Sequence, residues 1–129
     1  MNILHITLND YFESLIKEGC QKRGLSYKRT DNEEAALQLI EEAGVDFYIL
    51  GARAKKEDSA SFADLNMKKI YEAIVEATPN SKVCAYTSSK DAMNYCKDKP
   101  ITYISSISPN SIDRIFEVID KFKAKAIVV

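Results

Sequence analysis

Apolar residues are distributed along the chain in two different patterns. Short continuous apolar runs predict buried strands, and longer stretches with an apolar residue every three or four positions predict amphipathic helices. The predicted strands cover 2–8, 26–30, 46–50, 82–86 and 101–104. The predicted helices cover 10–23, 32–43, 65–77 and 89–97, followed by a last helix that opens at 108–110. The apolar stripe of the first helix consists, by helical spacing, of Phe12, Leu15, Ile16, Gly19 and Cys20. The chain is therefore expected to alternate strand and helix five times.

This alternation predicts one fold class. Strands joined by helices form a parallel sheet with both faces covered, and the crossover connections are right-handed. We expect an α/β domain of the (βα)5 type, a doubly wound parallel five-stranded sheet with strand order 2-1-3-4-5. The run 26–30 is more polar than the other strands, which indicates a position near an edge. Functional groups in such sheets collect at the carboxyl ends of the strands, which points to Asn9, Asp10, Gly51, Thr87, Ser88 and the stretch 104–108.

Length, charge and hydropathy narrow the class of protein. The 129 residues are enough for one core, and no linker-like stretch divides them, so we predict a single domain over 1–129. A net charge of −1 and a pI of about 5.9 give no electrostatic argument for nucleic acid. No apolar run approaches the roughly 20 residues that span a bilayer, and the first residues lack the features of a signal peptide. We therefore expect a cytoplasmic protein that does not insert into a membrane.

The cysteines and the histidine offer little chemistry. Three cysteines without metal-ligand spacing indicate reduced thiols, and a single histidine argues against a histidine-based zinc site. Cys84 falls in a predicted central strand and should be an inert core thiol, whereas Cys20 and Cys96 fall on helices and should be partly exposed. His5 lies within the first predicted strand as a packed or edge histidine. We expect no cofactor and no catalytic constellation.

The stretch 24-GLSYKRTDNEEAALQLIEEAGVDFYIL-50 joins a polar strand, a capped helix and a buried strand without a gap. With this stretch the chain resembles a CheY-like response-regulator receiver domain over nearly its whole length. The resemblance implies the flavodoxin/CheY-like fold. It places Asn9 and Asp10 on the acidic pair after the first strand, and Thr87 with Ser88 on the hydroxyl position after the fourth. Tyr103 matches the switch aromatic of the fifth strand.

The departures from this family concern its chemistry. The phospho-acceptor aspartate falls on Gly51, at the end of the strand in 45-VDFYILGARAKK-56. The lysine at the end of the fifth strand falls on Ser106, or on Ser105 if the alignment moves by one residue, and the following proline is Ile107. Phosphoryl transfer to a receiver needs a carboxylate nucleophile, Mg²⁺ held by carboxylates, and a lysine that pairs with the phosphoryl oxygens. The resemblance therefore implies a pseudo-receiver with poor metal affinity.

Each of these residues also has a plainer structural interpretation. Asp10 is either a former metal ligand or a helix N-cap, and Thr87 either faces a phosphate or caps the next helix. Tyr103 is either the switch aromatic or an ordinary half-buried strand tyrosine. Gly51 by itself is a loop glycine that serves positive φ or close packing. Three cations, Arg53, Lys55 and Lys56, either bind an anion beside the vacated acceptor position or lie in a solvated loop.

Receiver domains commonly bind partners through the fourth helix, fifth strand and fifth helix. On this resemblance we expect a non-enzymatic signalling adaptor in a bacterial pathway, which binds a protein partner or a second copy independently of phosphorylation. The expected interface residues are Tyr103, Ile112, Ile127 and Val128. Two alternatives stay open. One is a sensor of a small anion in the vacated pocket, and the other is a conventional receiver that is phosphorylated on a loop aspartate, Asp58 or Asp64.

Overall fold

The computed structural model describes residues 1–7, 12–51, 63–88 and 90–127. Five strands and five helices alternate within them. The strands are β1 (Asn2–Ile6), β2 (Ser26–Thr30), β3 (Phe47–Leu50), β4 (Lys82–Tyr86) and β5 (Ile101–Ile104). The helices are α1 (Glu13–Lys22), α2 (Glu33–Glu41), α3 (Ala63–Ala77), α4 (Lys90–Cys96) and α5 (Ser111–Ile127).

The sheet has the predicted topology. All neighbouring strands are parallel, and their order is β2-β1-β3-β4-β5. β2 is an edge strand with no fully buried residue, which confirms the interpretation of its polar sequence. β3 lies at the centre and is buried over all four of its residues, as a strand covered on both faces must be.

Several element boundaries differ from the predicted ones. β1 ends at Ile6 instead of residue 8, and α3 begins at Ala63, inside the predicted loop. α5 begins at Ser111 because the preceding Asn110 has a left-handed backbone, with φ of 59°, that a helix cannot contain. α2 begins where its cap predicts: the side-chain oxygen of Asn32 accepts a hydrogen bond from the Ala35 amide at 3.0 Å.

The core consists of two apolar clusters, one on each face of the sheet. One cluster joins the sheet to α2, α3 and α4, and the other joins it to α1 and α5. Adjacent strand residues point to opposite clusters, as Tyr48 and Ile49 illustrate. Among the described elements, α1 and α5 are the two helices that cover the second face, and a groove runs between them. No helix among the residues described is long and apolar enough to cross a bilayer.

α1 and α5 approach each other closely at Gly19. A Cβ atom built on Gly19 would lie 2.2 Å from Cζ of Phe116, so the aromatic ring occupies the space of the missing side chain. The guanidinium of Arg23 lies 4.3 Å from the centroid of the same ring and pairs with Asp120. Leu15, which helical spacing placed on the buried face, is instead 52% exposed. The prediction was wrong because α1 packs through Ile16, Gly19 and Cys20, and Leu15 lies on the flank of that stripe.

The cysteines correct a second prediction. Cys20 and Cys96 are buried, because they lie on the inner sides of their helices against the two core clusters. Burial raises the pKa of Cys20 to about 11 and that of Cys84, which lies in the sheet as expected, to about 12. These two thiols are therefore protonated at neutral pH and are poor nucleophiles.

Candidate functional site at the carboxyl edge of the sheet

At the carboxyl edge of the sheet, one residue directly follows each of the three inner strands, β1, β3 and β4, and one follows the edge strand β5. Thr7 follows β1, Gly51 follows β3, Thr87 follows β4 and Ser105 follows β5. Three of them carry hydroxyl groups, and the fourth has no side chain. The edge that holds an acidic phosphorylation site in receivers is therefore built here, in its described part, from hydroxyl and main-chain groups.

Gly51 lies against Thr7 with no room for a side chain. The Gly51 amide donates a hydrogen bond of 2.7 Å to the carbonyl oxygen of Ile6. A Cβ atom built on Gly51 would lie 2.5 Å from Oγ1 and 2.8 Å from Cβ of Thr7. Real Cβ atoms essentially never approach so closely, and Thr7 is buried. Close packing, rather than positive φ, accounts for glycine at this position.

The main chain of Thr7 is held from the side of β2. Its amide donates to the carbonyl of Thr30 at 3.0 Å, and its carbonyl accepts from Nη2 of Arg29 at 3.1 Å. Nη1 of Arg29 lies 3.6 Å from a carboxylate oxygen of Glu13 in the first turn of α1. Because Arg29 is mostly buried, this ion pair is better shielded from solvent than a surface pair. Thr7 therefore has little freedom to retreat from Gly51.

The ends of β4 and β5 are joined through the carbonyl of Thr87. This oxygen accepts a hydrogen bond of 2.8 Å from the hydroxyl of Tyr103 and one of 3.2 Å from the amide of Ser106. Burial is the main cause that raises the pKa of Tyr103, so its hydroxyl stays a donor at neutral pH. The predicted switch aromatic thus points at the predicted hydroxyl position, and its partner there is the main chain.

Tyr103→Phe should cost about 1 kcal/mol of stability, because it removes the donor of a hydrogen bond to a buried residue. Urea unfolding would measure the loss. Tyr95→Phe is a matched control, because the Tyr95 hydroxyl makes no hydrogen bond to any residue that the structure describes. Equal stabilities of the two variants would show that the Tyr103 bond contributes nothing.

The loop between β5 and α5 is held by serines. The Ser105 carbonyl accepts from both the amide and the hydroxyl of Ser108, at 3.2 and 2.7 Å. Ser111 exchanges a hydrogen bond of 2.7 Å with the hydroxyl of Tyr86 inside the protein. Ile107 is 82% exposed at the tip of this loop. Ser105 and Ser106, the two alternatives for the family's lysine, both lie here, and Ser88 is exposed on the neighbouring strand end.

Several predicted site residues lie outside the described ranges. These are Asn9, Asp10, Arg53, Lys55, Lys56 and Val128, together with the loop aspartate Asp58. For Ile127 and Asp64 the structure describes the helical main chain alone. The predicted acidic pair, the predicted anion site and the end of the predicted interface therefore stay predictions.

The structure brings together some predicted residues and separates others. Thr87 meets Tyr103 and Ser106, as described above. Tyr103 packs against the cluster under α4, whereas Ile112 packs against the cluster under α1, so these two interface candidates lie on opposite faces of the sheet. Sequence reasoning missed Thr7 and Arg29. Thr7 was hidden inside the apolar run 2–8, and its contact with Arg29 follows only from the pairing of β1 with β2.

The described residues of this edge do not fit a magnesium ion. Mg²⁺ in receiver-type sites is held by carboxylates, and the residues that follow β1, β3, β4 and β5 supply none. Within residues 1–7, 12–51, 63–88 and 90–127, no group of three His, Cys, Asp or Glu side chains is placed to hold a metal. We derive no metal-dependent step for this site.

No protein-family model and no curated protein matches this sequence. Solved structures do match its fold. A CheY-like receiver domain protein from Methanospirillum hungatei JF-1 has a TM-score of 0.73 at 13% identity, covering 97% of this chain and 95% of that one. A two-component response regulator from Clostridium difficile has a TM-score of 0.71 at 16% identity, covering 98% of both chains.

A third match is a streptococcal protein of a family of redox sensors that evolved from two-component response regulators. Its TM-score is 0.73 at 14% identity, and the match covers 98% of this chain and 53% of that one, so this chain spans about half its length. Identities this low establish the fold alone. With its strand order and its five strand–helix pairs, the chain has the fold of the CheY-like response-regulator receiver domains.

Proposed function

We propose that this chain is a pseudo-receiver: a non-enzymatic signalling domain that binds a protein partner without being phosphorylated. The receiver fold supports a place in two-component signalling, and a bacterial cytoplasm as its location is part of the proposal. The observation that carries the proposal is the contact between Gly51 and Thr7, which fills the space of the phospho-acceptor side chain.

Two positions lack the side chains that phosphorylation of a receiver requires. A receiver needs a carboxylate nucleophile after β3, and Gly51 has no side chain while its surroundings leave no room for one. A receiver also needs a cation after β5 to pair with the phosphoryl oxygens, and this chain has Ser105 and Ser106 there. Both are loop serines whose main-chain groups hold the loop to itself and to Thr87. The geometry supports a carboxyl edge of the sheet whose close contacts and hydrogen bonds stabilise the fold and carry out no reaction.

Partner binding is the function that remains for such a scaffold. Near the edge of β5, Tyr103 is partly exposed and Ile107 is almost fully exposed. An exposed isoleucine in the loop that follows the strand of a partly exposed tyrosine is a reasonable centre for a small protein interface, because such contacts are built around large apolar side chains. The surface of α4, β5 and α5 is therefore the proposed binding face, for a protein partner or for a second copy.

Intact mass spectrometry after incubation with Mg²⁺ and acetyl phosphate tests the proposal. A receiver known to accept phosphate from acetyl phosphate serves as the positive control in the same buffer. We expect a phosphorylated control and an unmodified mass for this chain. A phosphoryl adduct on any aspartate, with Asp10, Asp58 and Asp64 as the first to inspect, would make the chain a conventional receiver and refute the proposal.

A further inference from the structure

The groove between α1 and α5 is a second candidate for binding, separate from the edge of β5. It is open to solvent and has a volume of about 480 Å³. Its apolar lining comes from Leu15 and Gly19 on α1 and from Ile112 and Phe116 on α5. Leu15, at 52% exposure, is one of three large hydrophobic residues found exposed within the described ranges. The close approach at Gly19 leaves a shallow apolar floor that no other helix of the described chain covers.

The rim of this groove is acidic. Four carboxylates line it, from Glu18, Asp113, Glu117 and Asp120, against two cations, Lys22 and Arg23. Both cations already have partners in the chain: Lys22 pairs with Glu18 at 3.2 Å and Arg23 with Asp120 at 3.1 Å. Asp113 and Glu117 are exposed, and neither forms an ion pair with any residue that the structure describes. They lie one helical turn apart on α5, beside Ile112 and Phe116.

We propose that this groove docks a basic amphipathic helix of a partner protein. An apolar stripe on that helix would cover Leu15 and Ile112, and two Lys or Arg residues one turn apart would pair with Asp113 and Glu117. The excess of carboxylates decides between possible occupants. A second copy would bring an equally acidic rim, and an anionic lipid surface would meet like charge, so both are opposed by repulsion. The proposal is independent of whether the domain accepts phosphate.

The binding experiment uses the whole 129-residue protein and a fluorescent probe peptide. The probe is an 18-residue amphipathic helix of leucine and lysine, and its matched counterpart has glutamate in place of every lysine. Fluorescence anisotropy at low and moderate salt measures both affinities. We expect binding of the lysine peptide, weakened by salt, and at least about tenfold weaker binding of the glutamate peptide.

The chain offers matched controls for the site. Asp113→Asn with Glu117→Gln should weaken binding of the lysine peptide by about tenfold, since two exposed ion pairs are lost. Glu72→Gln with Glu76→Gln removes the same charge at the same spacing from the exposed side of α3 and should change affinity less than twofold. Leu15→Ser should weaken binding, and Val75→Ser, at a residue 47% exposed on α3, should not. Thermal melts check that all four variants fold.

Three results would overturn the proposal. The first is the absence of binding by the lysine peptide. The second is an equal loss of affinity in the α5 and α3 variants, which would mean non-specific attraction to an acidic protein. The third is sedimentation that reveals a dimer which Leu15→Ser dissociates, because a second copy would then occupy the groove.

Discussion

Gly51→Ala is expected to destabilise the protein by about 1–3 kcal/mol, although the added residue is a single methyl group. An alanine usually gains a few tenths of a kcal/mol to about 1 kcal/mol over glycine by restricting the unfolded chain. Here the methyl group would lie 2.5 Å from Oγ1 of Thr7, and the hydrogen bonds to Thr30 and Arg29 keep the Thr7 main chain in place. The steric cost therefore exceeds the gain.

A double-mutant cycle isolates this contact. Gly51→Ala and Thr7→Gly would be made singly and together, with stability measured by urea unfolding. Thr7→Gly removes the atoms in conflict, so we expect a coupling energy of at least about 1 kcal/mol between the two sites. Gly44→Ala is the control, because a Cβ there meets nothing within 4 Å. If Gly51→Ala is as harmless as Gly44→Ala, position 51 has room for a side chain and the argument against an acceptor there fails.

Lowering the pH from 6.5 to 4.5 is expected to cost about 2 kcal/mol of stability through His5 alone. His5 is buried in β1, and its Nδ1 atom lies 2.8 Å from the hydroxyl of Tyr27. Burial, and secondarily the charge of Arg29, lowers the pKa of His5 from 6.5 to about 3. At a pH between these two pKa values, His5 is protonated in the unfolded chain and neutral in the folded chain. The contribution of His5 is thus complete above pH 6.5 and falls as the pH drops towards 3.

The comparison of wild type with His5→Gln separates this effect from that of the carboxylates, which both proteins share. Urea unfolding at pH 6.5 and 4.5 gives the pH dependence of each. We expect the variant to be less stable at pH 6.5 but to lose about 2 kcal/mol less than wild type on acidification. Tyr27, the hydrogen-bond partner of His5, is present in both proteins, and burial raises the pKa of its hydroxyl, so it carries no charge in this interval. Parallel losses would mean that His5 takes up its proton while still folded.

The alternation of strands and helices was predictable because each element carries its own local signal, and the strand order followed from the doubly wound fold class. The polar run 26–30 indicated a position near an edge for β2, and the continuous apolar run before Gly51 predicted a buried strand for β3. The contact between Thr7 and Gly51 was not predictable, because an apolar run does not say where its strand stops. The prediction carried β1 through Leu8, which left Thr7 inside the strand.

Helix periodicity had a similar limit. It identifies a stripe of apolar residues, but the partner helix decides which edge of the stripe is covered. On α1 the ring of Phe116 lies over Gly19 and excludes any larger residue there, so the contact with α5 passes beside Leu15. Cys20 and Cys96 were placed at partly exposed positions for the same reason, before the packing of their helices was known.

The contact between α1 and α5 also bears on the order in which the protein acquires its structure. Arg23 and Asp120 are 97 residues apart in sequence, and Gly19 and Phe116 are separated by the same distance. During synthesis α1 leaves the ribosome long before α5. Ile16 and Cys20 of α1 therefore become fully buried only after nearly the whole domain has been made. We expect the face under α2, α3 and α4 to consolidate first. The last helix then closes the other face and makes folding cooperative over the full length of the domain.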